Sequence, residues 1–284
     1  MNKLHLIFTV SCIFLFMRCN TTSLHSTDFS PENSFTNGIE GPATDPQGNV
    51  YAVNYGTQGT IGKVSPDGHM ELFLTLPNNS IGNGIRFKNN HQFYVADYVN
   101  HTIFEIDIQT KQIQVFAQDS SVNQPNDIAI APNKTLYASD PNWSDNTGKL
   151  WKVTSEKGFE LLEDNMGTTN GIEVSNNGKK LYVNESIQRN IWVYDILENG
   201  KLSHKTLFYK FEDFGLDGMR FHKNGNLYVC RYDKGTVAVL SPEGKLLEEL
   251  QLTGKKVSNI TFNFDYSRCY LTMADRGCLE MILL

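Results

Sequence analysis

Six short polar side chains, Glu40, Asn83, Asn126, Asn170, Asp217 and Asn259, recur along this chain at spacings of 42 to 47 residues. Each stands just ahead of an apolar stretch, a polar turn and a run carrying tyrosine: Tyr51, Tyr94, Tyr137, Tyr182, Tyr228 and Tyr270. The offset from polar residue to tyrosine is 11 residues in five repeats and 12 in the fourth, where NNGKK adds one. A period of this length marks a repeat architecture, inside which every other feature has to be placed.

The second repeat shows what one unit is. NGIRF reads as a short strand, NN as a turn and HQFYVADY as a second strand rich in β-formers. TIFEIDI alternates apolar and polar as a half-buried strand, and QTK turns the chain into QIQVFAQ. Four strands in about 43 residues, with no helical pattern, make one blade of a β-propeller. The third repeat gives DIAIA, TLYASD, KLWKVT and FELLE, and the fifth GMRFH, NLYVCRY, TVAVLS and KLLEELQL. Turn chemistry recurs at the joints in PQGN, SPDG, KNGN and SPEG. The repeats are far too long for the coils of a β-solenoid. The expected fold is therefore all-β, a six-bladed β-propeller of four-stranded blades over residues 31–284. The sixth repeat has three strands before the chain ends, so a strand from the N-terminal side, around residues 31–38, is expected to complete it and close the ring.

Composition agrees with a globular protein: 284 residues, 40% hydrophobic and 11% aromatic, with a net charge of -6. Lys and Arg are scattered, which gives no nucleic-acid footprint. The N-terminus differs. Lys3 precedes the apolar run LHLIFTVSCIFLF, the length of a signal-peptide core and too short to span a bilayer as a helix. Residues 1–19 are expected to be an export signal and 20–30 a polar linker, placing the protein in the periplasm or cell envelope. Cys19 resembles the lipid-modified cysteine of bacterial lipoproteins, although Arg18 stands where small residues normally do. Such an anchor would be the only membrane contact. Cys230, Cys269 and Cys278 have no CxxC spacing and read as buried free thiols; the ADRG turn should pair Cys278 with Met273.

In a propeller the innermost strand of each blade lines the central channel, so the six recurring polar residues should ring one mouth. The ring contains no His or Cys, which disfavours zinc, copper and iron. Its two carboxylates and four amides suit a hard cation, Ca2+ before magnesium because calcium tolerates irregular geometry. Another divalent cation remains open. Asn and Asp also favour turns ahead of strands, which is the bland explanation of the pattern. A second set lies three residues after the tyrosines: Asn54, Asp97, Asp140, Glu185, Arg231 and Met273. These should end the second strands near the same mouth, some holding ring residues and others touching substrate. Asp127 should point away from Asn126 and hold a ligand in place rather than bind the cation itself.

EGPATDPQGNVY, QPNDIAIAPNKTLYASD, NGIEVSNNGKKLYVNES, LDGMRFHKNGNLYV and SNITF, in this order over nearly all the chain after residue 35, resemble the senescence marker protein, gluconolactonase and luciferin-regenerating enzyme family of six-bladed propellers. The resemblance implies that Glu40, Asn170 and Asp217 bind a catalytic divalent metal. It also implies that Asn126 is a further ligand or substrate contact, as in the diisopropyl-fluorophosphatase-like members. Three positions depart from the pattern. Gln124 stands where sugar-lactone members commonly carry Arg, Ala43 where a bulky residue often follows, and Asn263-Phe264 where Gly-Gly is usual. These departures weaken the case for gluconolactone itself.

The expected activity is a calcium-dependent, lactonase-type ester hydrolysis of a small-molecule lactone or ester. The cation would polarise the carbonyl, and Asp217, with Glu40 second, would serve as base or nucleophile because only these ring residues are anionic. No GxSxG suggests a serine nucleophile. Phosphotriester hydrolysis on the same metal is one alternative. A non-catalytic, envelope-anchored propeller with structural calcium is another.

Overall fold

The computed structural model describes residues 24–284, so the proposed export signal and Cys19 lie outside the described residues. Every regular element among the described residues is a β-strand. They form six four-stranded antiparallel sheets, each built from consecutive strands except the last. The inner strands are Phe35–Thr44, Gly82–Asn89, Ile128–Ile130, Thr169–Val174, Gly215–Phe221 and Val257–Phe262. Each packs beside the next, and the first beside the sixth, so the blades close into a six-bladed β-propeller.

Alternation within the strands explains why the blades stack. In the second strand of blade two, Phe93 and Val95 point into the core shared with blade one, while Tyr94 and Ala96 face blade three. Both faces of a blade are thus buried against neighbours, and apolar clusters alternate with sheets around the ring. The recurring tyrosines belong to this packing: Tyr51 contacts Phe73, Phe87 and Phe93 at centroid separations of 5.0, 5.8 and 5.5 Å. Cys230, Cys269 and Cys278 are buried free thiols in the same layers, and Cys278 pairs with Met273.

The ring is closed by an N-terminal strand, but not by residues 31–38. Thr27–Asp28 lies antiparallel to the last strand, Cys278–Leu283, in the register Thr27↔Met281 and Asp28↔Glu280. Residues 35–38 instead begin the inner strand of blade one. That strand starts earlier than its period suggests because register shifts between Phe35 and Ala43 absorb extra residues against the second strand. The closing contact is short in backbone and dense in charge. Arg276 binds Asp28 at 2.6 Å and Glu32 at 2.6 Å, and reaches Glu280, whose side chain is fully buried. Glu280 also accepts from Ser26 Oγ and from the backbone N–H groups of Thr253 and Gly254.

Arg276→Ala should therefore remove the side-chain cation that pairs with the buried Glu280 carboxylate at the seam. The loss should be about 3 kcal/mol, the scale for breaking a buried pair from one side. A thermal melt lowered by roughly 6–12 °C would match that loss, and an unchanged melt would show that the two-residue strand closes the ring unaided.

Candidate metal and substrate site

The inner strands converge so closely at the axis that four of the six ring residues are followed by glycine: Gly41, Gly84, Gly171 and Gly218. At Gly41, where φ is +58°, a Cβ would sit 2.1 Å from the carbonyl oxygen of Asn83 in the next blade. At Gly218 it would sit 2.1 Å from the side chain of Asn259. No larger residue fits either place. The glycines let neighbouring backbones touch, and this sets the ring side chains at one level.

Five of those side chains, Glu40, Asn83, Asn126, Asn170 and Asp217, line a single cavity of about 450 Å³ at one mouth of the channel. The sixth does not. Asn259 donates from Nδ2 to Glu40 Oε2 at 3.0 Å, while its Oδ1 accepts the Ile260 N–H at 2.9 Å. Its amide is consumed in holding Glu40, whose Oε2 also accepts the Gly41 N–H at 2.8 Å. Asp217 is held by the Asn170 side chain and the Gly218 N–H.

The floor of this cavity is an unfavourable place for two carboxylates. Burial pushes Glu40 up to about 7, with the Gly41 N–H pulling it partway back and Asp127 adding to the rise. Burial pushes Asp217 well above the usual carboxylate range, and repulsion from Glu40 and then Asp127 adds to it. Among the described residues, no Lys, Arg or His lines the cavity. Asn83 Oδ1 is buried without a hydrogen-bond partner. Two desolvated carboxylates, an orphan amide oxygen and no protein cation form an electrostatic deficit that a divalent ion would fill. Among the described residues no group of three or more His, Cys, Asp or Glu side chains could hold a metal, so amide oxygens must complete any coordination here.

Asp127 occupies the position that glycine holds in four other blades, and its carboxylate turns into the channel beneath the ring. It pairs with Arg86 at 3.2 Å and lies 3.8 Å from Arg220. Glu173 joins the cluster at 3.2 Å from Arg86 and 3.3 Å from Arg220. Burial pushes Glu173 up to about 8, against the pull of Arg86 and with repulsion from Asp127. The four groups sit just below the ring.

The set that follows the tyrosines is not in the cavity wall. Asp97 accepts the Ile81 N–H at 3.1 Å, and Asp140 those of Asn123 and Gln124 at 3.0 and 2.7 Å. Glu185 accepts the Gly167 N–H at 2.8 Å, Asn54 donates to the Gly38 carbonyl, and Arg231 grips Asp213. Met273 is buried in core. The polar members share one task, pinning the chain that leads into or along the inner strand of their own blade. The wall comes from the residues immediately after them: Tyr98, Ser186, Tyr232 and Ala274, joined by Trp143, Gln124, Asn37 and Ser258. Strand alternation was the available signal, since neighbours along a strand point to opposite sides.

With this geometry in place, residues 39–275 match the model described as the SMP-30/Gluconolactonase/LRE-like region. The chain belongs to that family. A gluconolactonase from Zymomonas mobilis is 27% identical over 259 residues, covering 78% of this chain and 72% of that one. Regucalcin from Sus scrofa is 32% identical over 135 residues, covering 46% and 45%, so the match spans less than half of that relative. A solved regucalcin from Agrobacterium tumefaciens, described as a calcium-binding protein, superposes with a TM-score of 0.78 at 17% identity over 91% of this chain and 94% of that one. At that identity it supports the shared propeller fold.

The raised carboxylates of this family member predict an unusual pH profile in chelator. A carboxyl whose folded value exceeds its unfolded one stabilises fully below the unfolded value, and that contribution is lost as pH rises through the folded one. Glu40 and Glu173, at about 7 and about 8, place the loss between ordinary carboxylate pH and mild alkali. Melts in EDTA should therefore fall from pH 5 to pH 8. A melt that rises over this interval would contradict the burial of these groups.

Proposed function

We propose that this chain is a calcium-dependent hydrolase of lactones, with the ring cavity as its active site. The observation that carries the proposal is the convergence of Glu40, Asn126, Asn170 and Asp217, from four separate blades, on one cavity that supplies no positive charge. Membership of the family and the likeness to a gluconolactonase support the substrate class. The all-oxygen donor set supports calcium.

Glu40, Asn126, Asn170 and Asp217 would hold the ion, with Asn83 able to add its unpartnered oxygen. When bound, the cation supplies Lewis acidity toward a lactone carbonyl. The chain's own residues supply the rest. Asn259 and the Gly41 N–H fix one oxygen of Glu40, as the Asn170 side chain and the Gly218 N–H hold Asp217. Asp217, a buried carboxylate facing the cavity, is the group to accept the proton of an attacking water. The water oxygen bonds to the carbonyl carbon as its proton passes to Asp217, and when the bond from that carbon to the ring oxygen breaks, the same proton goes from Asp217 to the leaving alkoxide. Tyr98, Trp143 and Tyr232 shield the cavity and give the substrate apolar surface, and Gln124 offers a neutral amide toward it.

Asp217→Asn keeps an oxygen donor but removes the base. Turnover of a lactone panel in calcium should fall by about 100-fold or more while the fold is retained. A variant that stays folded and hydrolyses lactones at the parental rate would remove Asp217 from the chemistry. Absence of any calcium-dependent turnover of lactones by the parent, with a fluorophosphate substrate cleaved instead, would move the reaction to phosphotriesters.

A further inference from the structure

The axis has a second mouth. Where the inner strands end, a cavity of about 610 Å³ is lined by Glu173 and Arg220 at its base and by Phe87, Phe262, Phe264 and Tyr266 around it. It lies on the far side of the Arg86–Asp127–Glu173–Arg220 cluster from the ring and shares no lining residue with the ring cavity.

Two features mark it as more than a dimple between loops. Arg220 is 8% exposed, yet among the described residues all its hydrogen bonds run through Nη1, to Glu173 at 3.3 Å and to the Met219 carbonyl at 3.2 Å. The Nε–Nη2 edge carries none. That edge is the one that grips a carboxylate side-on with two parallel hydrogen bonds, and neither of its nitrogens is among the buried polar atoms that lack a partner, so it is open to a ligand in the cavity. The second feature is Phe264, 78% exposed at the rim and the most exposed large hydrophobic side chain among the described residues. Its turn is rigid: Asp265 Oδ1 accepts from Asn263 Nδ2, the Ser267 N–H and Ser267 Oγ. A phenyl ring held out in water by a braced turn, beside Phe262 and Tyr266 whose centroids are 5.5 Å apart, is surface awaiting a flat apolar partner.

The other charges around the cavity leave room for an anion. Asp45 lines it too, but its carboxylate is occupied by the Gln47 and Asn49 N–H groups, Asn49 Nδ2 and Tyr51 OH. Glu173 turns one oxygen to both guanidinium groups, reaching Arg220 through Nη1 and not through the free edge. Lys223, whose Nζ lies over the Tyr266 ring at 5.8 Å, adds positive potential at the rim.

We propose that this far-mouth cavity binds a small monocarboxylate with an aromatic body, its carboxylate on the Nε–Nη2 edge of Arg220 and its ring against Phe262, Phe264 and Tyr266. The site is independent of the hydrolase reading, because it shares no residue with the ring cavity.

Phenylacetate is a suitable probe, titrated calorimetrically into the full chain in EDTA and again in calcium, with benzyl alcohol as its uncharged counterpart. Saturable binding of phenylacetate in both buffers, and none of benzyl alcohol at the same concentration, is the expected result. Arg220→Lys retains the charge and its reach to Glu173 but loses the fork, and should weaken binding by about tenfold. Phe264→Ser, at an exposed turn that the fold does not need, should weaken it by at least about threefold and guards against a folding artefact in the arginine variant. Absence of phenylacetate binding at millimolar concentration would overturn the proposal. So would binding that both variants leave unchanged, or binding lost in Trp143→Ala, which would place the probe in the ring cavity instead.

Discussion

Crowding at the axis governs this molecule. Six inner strands pass so near one another that the backbone of blade one touches that of blade two, with no space for a Cβ at Gly41. Six blades can meet there only if most of them present glycine at one level and a short polar side chain at the next. Once that is met, Glu40, Asn83, Asn126, Asn170 and Asp217 face one cavity as a consequence of closure. The same crowding makes the site electrostatically expensive, because it removes water from two carboxylates and gives them no protein cation.

Just beneath the ring, the cluster of Arg86, Asp127, Glu173 and Arg220 compensates charge. The two guanidinium groups pair with Asp127 and Glu173, and the negative charge of Asp127 adds to the rise of both Glu40 and Asp217. A buried network of this kind contributes little net stability compared with apolar packing. Its consequence is specific: the ring faces outward from one mouth while the cluster separates it from the other, so the propeller carries two chemically different cavities on one axis.

Much of the architecture was legible along the chain because each blade is a local object. Four strands joined by short turns follow from period-2 alternation and turn residues, and the observed strand Gln92–Asp97 differs from its expected run by one residue at each end. The closing strand was misplaced because closure is a non-local pairing. Nothing in the sequence around Thr27–Asp28 announces a strand; it is made by Arg276 and Glu280, roughly 250 residues later.

The periodic positions determined which side chains could meet at the channel mouth, since a repeat that closes on itself must superimpose equivalent residues. What each then does depended on the tertiary structure. Asn83 and Asn259 are equivalent by spacing, yet one keeps an unpartnered oxygen and the other spends its amide on Glu40 in the adjoining blade. Asp97 and Glu185 stand beside the cavity in sequence, but one step of strand alternation turns them onto loop N–H groups and hands the wall to Tyr98 and Ser186. Period and residue type are properties of the chain. Hydrogen-bond partners and desolvation exist only where distant blades touch.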